Sequence, residues 1–127
     1  MLLLKPVTGV CGGAMVWLEE LKVQRICFVL KVRKDRLAEY RRRHRAVWPE
    51  MTAALTASGW RDYTLFLRPD GLLVGYLLCE DFAASNGAMK ALEVNELWQR
   101  DMAPFFENIE ANPDDEMQPL EEIFHLD

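Results

Sequence analysis

Apolar side chains follow two different periods along this chain, and the changes between them predict the secondary structure. Residues 25–33 hold a nearly continuous apolar run, which is typical of a buried strand. The residues that follow repeat apolar side chains at a helical spacing, with Asp35 as the predicted N-cap and Gly59 as the C-cap. Pro49 cannot donate a helical hydrogen bond, so we expect the helix to kink or restart there.

A hairpin comes next, because two strand-like segments flank a strong turn signal. Residues 60–68 alternate between apolar and polar positions, with Tyr63 on one face and Phe66 on the other. Residues 69–71 read Pro-Asp-Gly, in which proline presets one backbone angle and glycine accepts a positive φ. Residues 72–80 then form the predicted return strand.

The last third of the chain predicts a second helical region and a closing strand. Asp81 can cap this region, which we expect to break near residues 93–95 and to resume as far as Phe106. Residues 112–115 read Asn-Pro-Asp-Asp and are predicted to form a polar loop. Residues 119–126 alternate again and are predicted to be a strand.

The resulting order, β-α-β-β-α-β, predicts a ferredoxin-like α+β domain. Its four-stranded antiparallel sheet would carry the helices on one face. The other face is also predicted to be apolar, with Phe28, Leu30, Tyr76 and either Tyr63 or Phe66 on it. An apolar open face needs a partner or a ligand, so we expect a homodimer that packs sheet to sheet.

Residues 1–24 have an irregular pattern, and we interpret them as a leader that the domain in residues 25–127 can do without. A signal peptide carries its charge before its apolar core, whereas here three leucines precede Lys5. No stretch of the sequence approaches the roughly 18 apolar residues that a membrane span needs. We therefore expect no membrane association.

Composition excludes several classes of function. The 127 residues carry a formal net charge of -5, which repels nucleic acid and anionic membranes. The three cysteines are odd in number and show no CxxC spacing, which argues against a disulfide framework or a zinc site and favours the reducing cytoplasm. Phosphate-binding loops and dinucleotide glycine motifs are missing too, so we expect no metal and no cofactor, and chemistry limited to proton transfer.

The candidate chemistry lies on the first helix, where Tyr40, His44 and Trp48 follow one another at steps of four and share a face. One interpretation of His44 is a buried structural histidine; the other is a general acid or base at the mouth of a cavity between helix and sheet. The arginines around it are expected to form a solvated face that pairs with Glu39 or Glu50.

These residues also carry a resemblance. The Tyr40, His44 and Trp48-Pro49-Glu50 pattern resembles the L-rhamnose mutarotase family over residues 25–127. Supporting matches come from Gly59, Tyr63, Trp98, residues 111–114 and residues 120–126. The resemblance implies a dimeric ferredoxin-like fold and cofactor-free interconversion of the α and β anomers of L-rhamnose or a related 6-deoxy sugar.

The resemblance also implies roles for individual residues. His44 is the expected proton donor, and Tyr40 and Tyr63 are expected substrate contacts. Trp98 corresponds to the first of two adjacent tryptophans that line the family's sugar site. Gln99 stands in the place of the second, so an amide that can bond sugar hydroxyls replaces a stacking face.

Mutarotation suits such residues because it needs only proton transfer. His44 would protonate the ring oxygen, and a phenol or a bound water would take the anomeric proton. Two other functions remain open. One is a non-catalytic dimeric module that binds a small metabolite, and the other is a cofactor-free, oxygenase-like enzyme on the same fold.

Overall fold

A computed structural model of the protein describes residues 3–7, 16–20, 23–108 and 112–127. The helices are α1 (Leu37–His44), α2 (Pro49–Ala57), α3 (Phe82–Lys90) and α4 (Glu93–Met102). The strands are β1 (Leu3–Val7), β2 (Val16–Glu20), β3 (Gln24–Lys31), β4 (Arg61–Leu67) and β5 (Leu72–Cys79). Short 3-10 turns lie at Lys34–Arg36, Ala103–Phe105 and Pro113–Glu116.

The main sheet is antiparallel, with strand order β3-β5-β4, and the helices cover one of its faces. Successive side chains of β5 alternate between half-buried and fully buried, as expected for a sheet covered on one side. Phe28 on β3 faces Gly75 on β5, and a Cβ at Gly75 would lie 2.2 Å from the Phe28 ring. The missing side chain therefore leaves room for the Phe28 ring beneath the helices.

Most of the predicted helix boundaries are confirmed. Pro49 is the first residue of α2, and Gly59 ends that helix with a φ of +93°, one residue after the C-cap Ser58. The Asp81 side chain accepts a hydrogen bond of 3.2 Å from the Ala84 backbone nitrogen and caps α3. The Asp35 cap is wrong, because Asp35 lies inside a 3-10 turn and makes no capping hydrogen bond there.

The hairpin and the later helix break are also present. Gly71 has a φ of +101°, and the Arg68 backbone nitrogen donates to the Leu72 carbonyl at 2.8 Å across the turn. The second helical region breaks at residues 91–92, slightly before the predicted position, and resumes as α4. Asp62 at the start of β4 has a φ of 51° and marks a bulge in the pairing with β5.

The predicted fourth strand is not formed, and the described main sheet has three strands. Residues 119–126 have no regular secondary structure. The Leu120 backbone nitrogen donates to the Cys27 carbonyl at 2.7 Å, and Arg25 pairs with Glu122 at 2.7 Å. The tail therefore begins beside the free edge of β3, but Ile123, Phe124 and Leu126 stay exposed.

The sequence assigned no structure to residues 1–24, yet β1 and β2 pair antiparallel in a separate two-stranded sheet. The rest of that predicted leader lies largely outside the described residues. Across the described part of the chain, no helix is both long and apolar enough to cross a membrane.

The two faces of the main sheet differ from the prediction in one respect. Phe28 and Leu30, which we expected on the open face, are buried beneath the helices. The open face carries Val29, which the prediction did not name, and Phe66, which it gave as one of two alternatives; Phe66 is 61% exposed. Apolar side chains therefore remain on the side of the sheet that the helices do not cover.

Candidate functional site

A cavity of about 560 Å³ lies between the helices and the covered face of the sheet. This volume is within the range of typical small-molecule sites. Strands β3 and β5 supply apolar side chains to the floor, and β4 adds Asp62, Tyr63, Thr64 and Leu65. Helices α1, α2 and α4 and the turn at Pro113–Glu116 supply the walls. All five residues predicted from the sequence line this cavity: Tyr40, His44, Tyr63, Trp98 and Gln99.

His44 is the last residue of α1 and is only partly buried, which is consistent with a place on the cavity wall. Its Nδ1 lies 2.9 Å from the backbone carbonyl oxygen of Tyr40. A carbonyl oxygen can only accept, so Nδ1 carries the hydrogen and donates it. In the neutral ring the lone pair is then on Nε2.

Burial lowers the pKa of His44 below its usual value, and the hydrogen bond to the Tyr40 carbonyl opposes this shift more weakly. At neutral pH the neutral imidazole therefore predominates. Such a ring is a proton acceptor at Nε2 and becomes a donor after it has taken up a proton.

Aromatic rings fix the position of the imidazole. The Tyr40 ring centroid lies 4.2 Å from that of His44, and the Trp98 ring meets His44 edge-on at 5.6 Å. Trp48, just before the restart at Pro49, packs edge-on against Trp98 at 5.1 Å. Trp48 is thus a support for Trp98 and does not itself line the cavity.

The two phenols, Tyr40 and Tyr63, come from opposite sides of the cavity, one from α1 and one from β4. Burial raises the pKa of both phenols well above the usual value. The charges of Tyr40 and Asp114 raise the pKa of Tyr63 further. Both phenols are therefore protonated at neutral pH and can donate hydrogen bonds, but neither is a base.

A chain of polar side chains on α4 continues from Gln99 to a buried carboxyl group. Gln99 Nε2 donates to Asn95 Oδ1 at 3.2 Å, and Asn95 Nδ2 donates to Asp114 Oδ2 at 2.6 Å. All three residues are less than one-tenth exposed, and all three line the cavity.

Asp114 and Asn95 were missed by the sequence reasoning. Residues 112–115 were expected to be a polar loop, but they form a 3-10 turn in which Asp114 is 3% exposed. The available signal was Asn112, whose side chain accepts from the Asp114 backbone nitrogen at 2.9 Å and so fixes the turn. Ala111, the other residue of that matched segment, lies outside the described residues.

The arginine cluster of α1 is a solvated face, as expected. Arg42 and Arg43 pair with Glu39 on the same helix, and neither lines the cavity. Among the described residues, no group of histidine, cysteine, aspartate or glutamate side chains is placed to hold a metal ion.

Comparison with known proteins gives a consistent picture. A sequence model of a family described as L-rhamnose mutarotase matches residues 25–126. The match begins where the predicted domain begins and contains every cavity residue named above.

Individual relatives agree over nearly their whole length. An L-rhamnose mutarotase of Shouchella clausii is 37% identical over 103 residues, covering 77% of this chain and 93% of the relative. One of Bacillus subtilis is 36% identical over 107 residues, covering 83% of this chain and 100% of the relative. A crystal structure of an L-rhamnose mutarotase from Formosa agariphila superposes with a TM-score of 0.66 at 25% identity, covering 82% of this chain and 99% of that one.

Proposed function

This chain belongs to the L-rhamnose mutarotase family, and on that premise we propose that it interconverts the α and β anomers of L-rhamnose or a related 6-deoxy sugar. It is an enzyme of the isomerase type. Family membership thus favours catalysis over the two alternatives, a binding-only module and an oxygenase-like enzyme. The proposal rests on one observation, a half-buried imidazole in the wall of a sugar-sized cavity. Its Nδ1 donates to the Tyr40 carbonyl, so its Nε2 lone pair is available to accept a proton.

His44 is the residue that exchanges protons with the sugar in this proposal. Ring opening removes the proton of the anomeric hydroxyl and adds a proton to the ring oxygen. The lowered pKa of His44 favours the acceptor role in this step, whereas donation to the ring oxygen, as the sequence suggested, needs the minor imidazolium form. His44 then acts as a donor in ring closure, when it returns the proton to the carbonyl oxygen.

The remaining cavity residues bind and orient the sugar. Tyr40 and Tyr63 donate hydrogen bonds from protonated phenols, and Gln99 offers an amide to the sugar hydroxyls. Trp98 gives an aromatic wall. The methyl group of a 6-deoxy sugar suits the apolar floor of the cavity, which includes Leu30 and Leu73.

The first test is exchange between the anomers of L-rhamnose, measured by saturation-difference NMR with and without the protein. We expect His44→Ala to slow this exchange by roughly 10²–10⁴-fold, because that is the usual contribution of one acid–base group. His125→Ala is the matched control, since His125 lies in the exposed tail and pairs with Asp127. Wild-type protein that leaves exchange unchanged for several 6-deoxy sugars would contradict the function.

We also propose that the enzyme is a homodimer that packs sheet to sheet. Support comes from the apolar open face, which includes Val29 and Phe66, and from the apolar side chains of the tail. In the dimer, residues 119–126 would add the fourth strand to the free edge of β3, beside which Leu120 already donates to Cys27.

Two further proposals concern the chain as a whole. The free thiols of Cys27 and Cys79 suit the reducing cytoplasm, which we propose as its location. Residues 1–24 are proposed to be dispensable because the family match starts at residue 25. A protein beginning at residue 25 should therefore keep the full rate of anomer exchange, and a large loss would assign a role to the leader.

A further inference from the structure

A buried carboxyl group, Asp114, faces the same cavity as His44 and has no part in the function described so far. It is 3% exposed, and in the described part of the chain its side chain is held by one hydrogen bond, from Asn95 to Oδ2. Burying a carboxyl group without a cationic partner lowers the stability of the folded protein. A function in the cavity would explain why Asp114 is buried there.

Helix α4 joins Asp114 to the imidazole. Trp98 contacts the His44 ring, and Asn95, one turn earlier on the same face of α4, contacts Asp114. Tyr63 lies close enough to Asp114 for its charge to affect the phenol. His44 and Asp114 both line the cavity in which the sugar is proposed to bind.

We propose that Asp114 is the second proton-transfer group of the site, which protonates the ring oxygen while His44 accepts the proton of the anomeric hydroxyl. This rests on the proposed mutarotase function. It supplies what His44 alone does not, because the neutral imidazole can take a proton but has none to give at Nε2.

The protons and electrons balance without any other reactant. On opening, the anomeric O–H proton moves to His44 Nε2, the bond between C1 and the ring oxygen breaks, and its electron pair goes to the ring oxygen. That oxygen takes the Asp114 proton, and C1 becomes an aldehyde. After rotation about the C1–C2 bond, closure on the other face reverses each transfer, so imidazole and carboxylic acid are both restored.

The surroundings of Asp114 suit this role. Burial raises the pKa of its carboxyl group above the usual value, and the neighbouring Asp115 charge acts in the same direction. The hydrogen bond from Asn95 and the charge of Lys90 lower that pKa more weakly. The acid form therefore persists to higher pH than in an exposed aspartate, which moves its pKa towards the lowered pKa of His44.

The first experiment compares Asp114→Asn with Asp101→Asn in the anomer-exchange assay. Asparagine keeps the shape and an acceptor for Asn95 but has no transferable proton, so we expect kcat to fall by roughly 10²-fold with KM little changed. Asp101→Asn removes an exposed carboxylate on α4 that does not line the cavity, and kcat should stay at the wild-type value. If wild-type protein exchanges anomers and Asp114→Asn does so equally fast, this inference fails while the mutarotase function stands.

The pH profile separates proton transfer from a structural role. Activity should fall at acid pH as His44 becomes protonated and at alkaline pH as Asp114 loses its proton. Asp114→Asn should abolish the alkaline fall in its residual activity. A residual profile that keeps the alkaline fall would overturn the proposal.

A second variant does not depend on how Asp114→Asn folds. Asn95→Ala removes a hydrogen bond that lowers the pKa of Asp114, so one limb of the pH profile should move to higher pH. A profile in which neither limb moves would overturn the proposal.

Discussion

At the scale of single residues, Gln99 has a structural role in addition to its proposed contact with the sugar. Its Nε2 is the donor to Asn95 Oδ1, in a part of α4 where Asn95 is 1% exposed. A leucine would keep much of the volume of Gln99 but leave that buried oxygen without a donor. Asn95 in turn donates a hydrogen bond to Asp114. A substitution of Gln99 can therefore alter the orientation of the Asp114 carboxyl group through Asn95.

We therefore expect Gln99→Leu to lower the free energy of unfolding by about 1–3 kcal/mol, the usual cost of an unsatisfied buried polar group. Urea denaturation followed by circular dichroism measures it. Arg100→Ala is the control, because Arg100 forms an exposed pair with Glu96, and such pairs contribute little to stability. Equal stability of Gln99→Leu and wild-type protein would show that the Gln99–Asn95 hydrogen bond contributes nothing.

The same contacts explain which site residues the sequence could indicate. Tyr40 and His44 are one turn apart on a single helix, so their spacing alone places them together. Asp114 and Asn95 are 19 positions apart and meet only through tertiary packing. Asn112 indicates the turn but does not show which of Asp114 and Asp115 is buried in it, although Asp114 is buried and Asp115 exposed.

At the scale of elements, two glycines that look alike in sequence have opposite roles. Gly75 lies on β5 against the Phe28 ring, which forms part of the cavity floor, whereas a Cβ at Gly87 on α3 would have no heavy atom within 4 Å. We expect Gly75→Ala to destabilise the protein by about 1–3 kcal/mol through overpacking. Gly87→Ala should stabilise it by about 0.5–1 kcal/mol, since glycine weakens a helix interior.

Thermal unfolding of the two glycine variants beside wild-type protein measures both effects. Shifts of the same sign would contradict the distinction. A loss of anomer exchange in Gly75→Ala at a temperature where the variant is folded would further link the floor of the cavity to binding.

Elements set by local chemistry were predictable. Pro49 begins a helix, Gly59 ends one and Asp81 caps another, because each effect acts within a few residues. The fourth strand was not predictable from the sequence. Alternation in residues 119–126 shows which side chains could share a face, but not whether the backbone forms hydrogen bonds with a neighbouring strand. A ladder also depends on the neighbouring strand. Among the described residues, residues 119–126 make one backbone hydrogen bond to β3, from Leu120 to Cys27.

At the scale of the whole molecule, the open face of the sheet is the surface through which we propose that two copies pack. Phe66 and Val29 expose apolar surface on that face, while Leu97 exposes a similar apolar side chain on α4. A carboxylate buried in an apolar interface without a partner is strongly unfavourable, whereas one in solvent costs little. Phe66→Asp should therefore weaken a sheet-to-sheet dimer, and Leu97→Asp should leave it intact.

Light scattering coupled to size-exclusion chromatography measures this difference. We expect wild-type protein and Leu97→Asp to have twice the mass of the chain, and Phe66→Asp to shift towards the single chain as the protein is diluted. A wild-type mass of one chain would contradict the dimer, and dissociation by Leu97→Asp but not by Phe66→Asp would place the interface on the helices. Because the tail begins beside β3 and exposes Phe124, removal of residues 119–127 should weaken the same dimer if those residues complete the sheet.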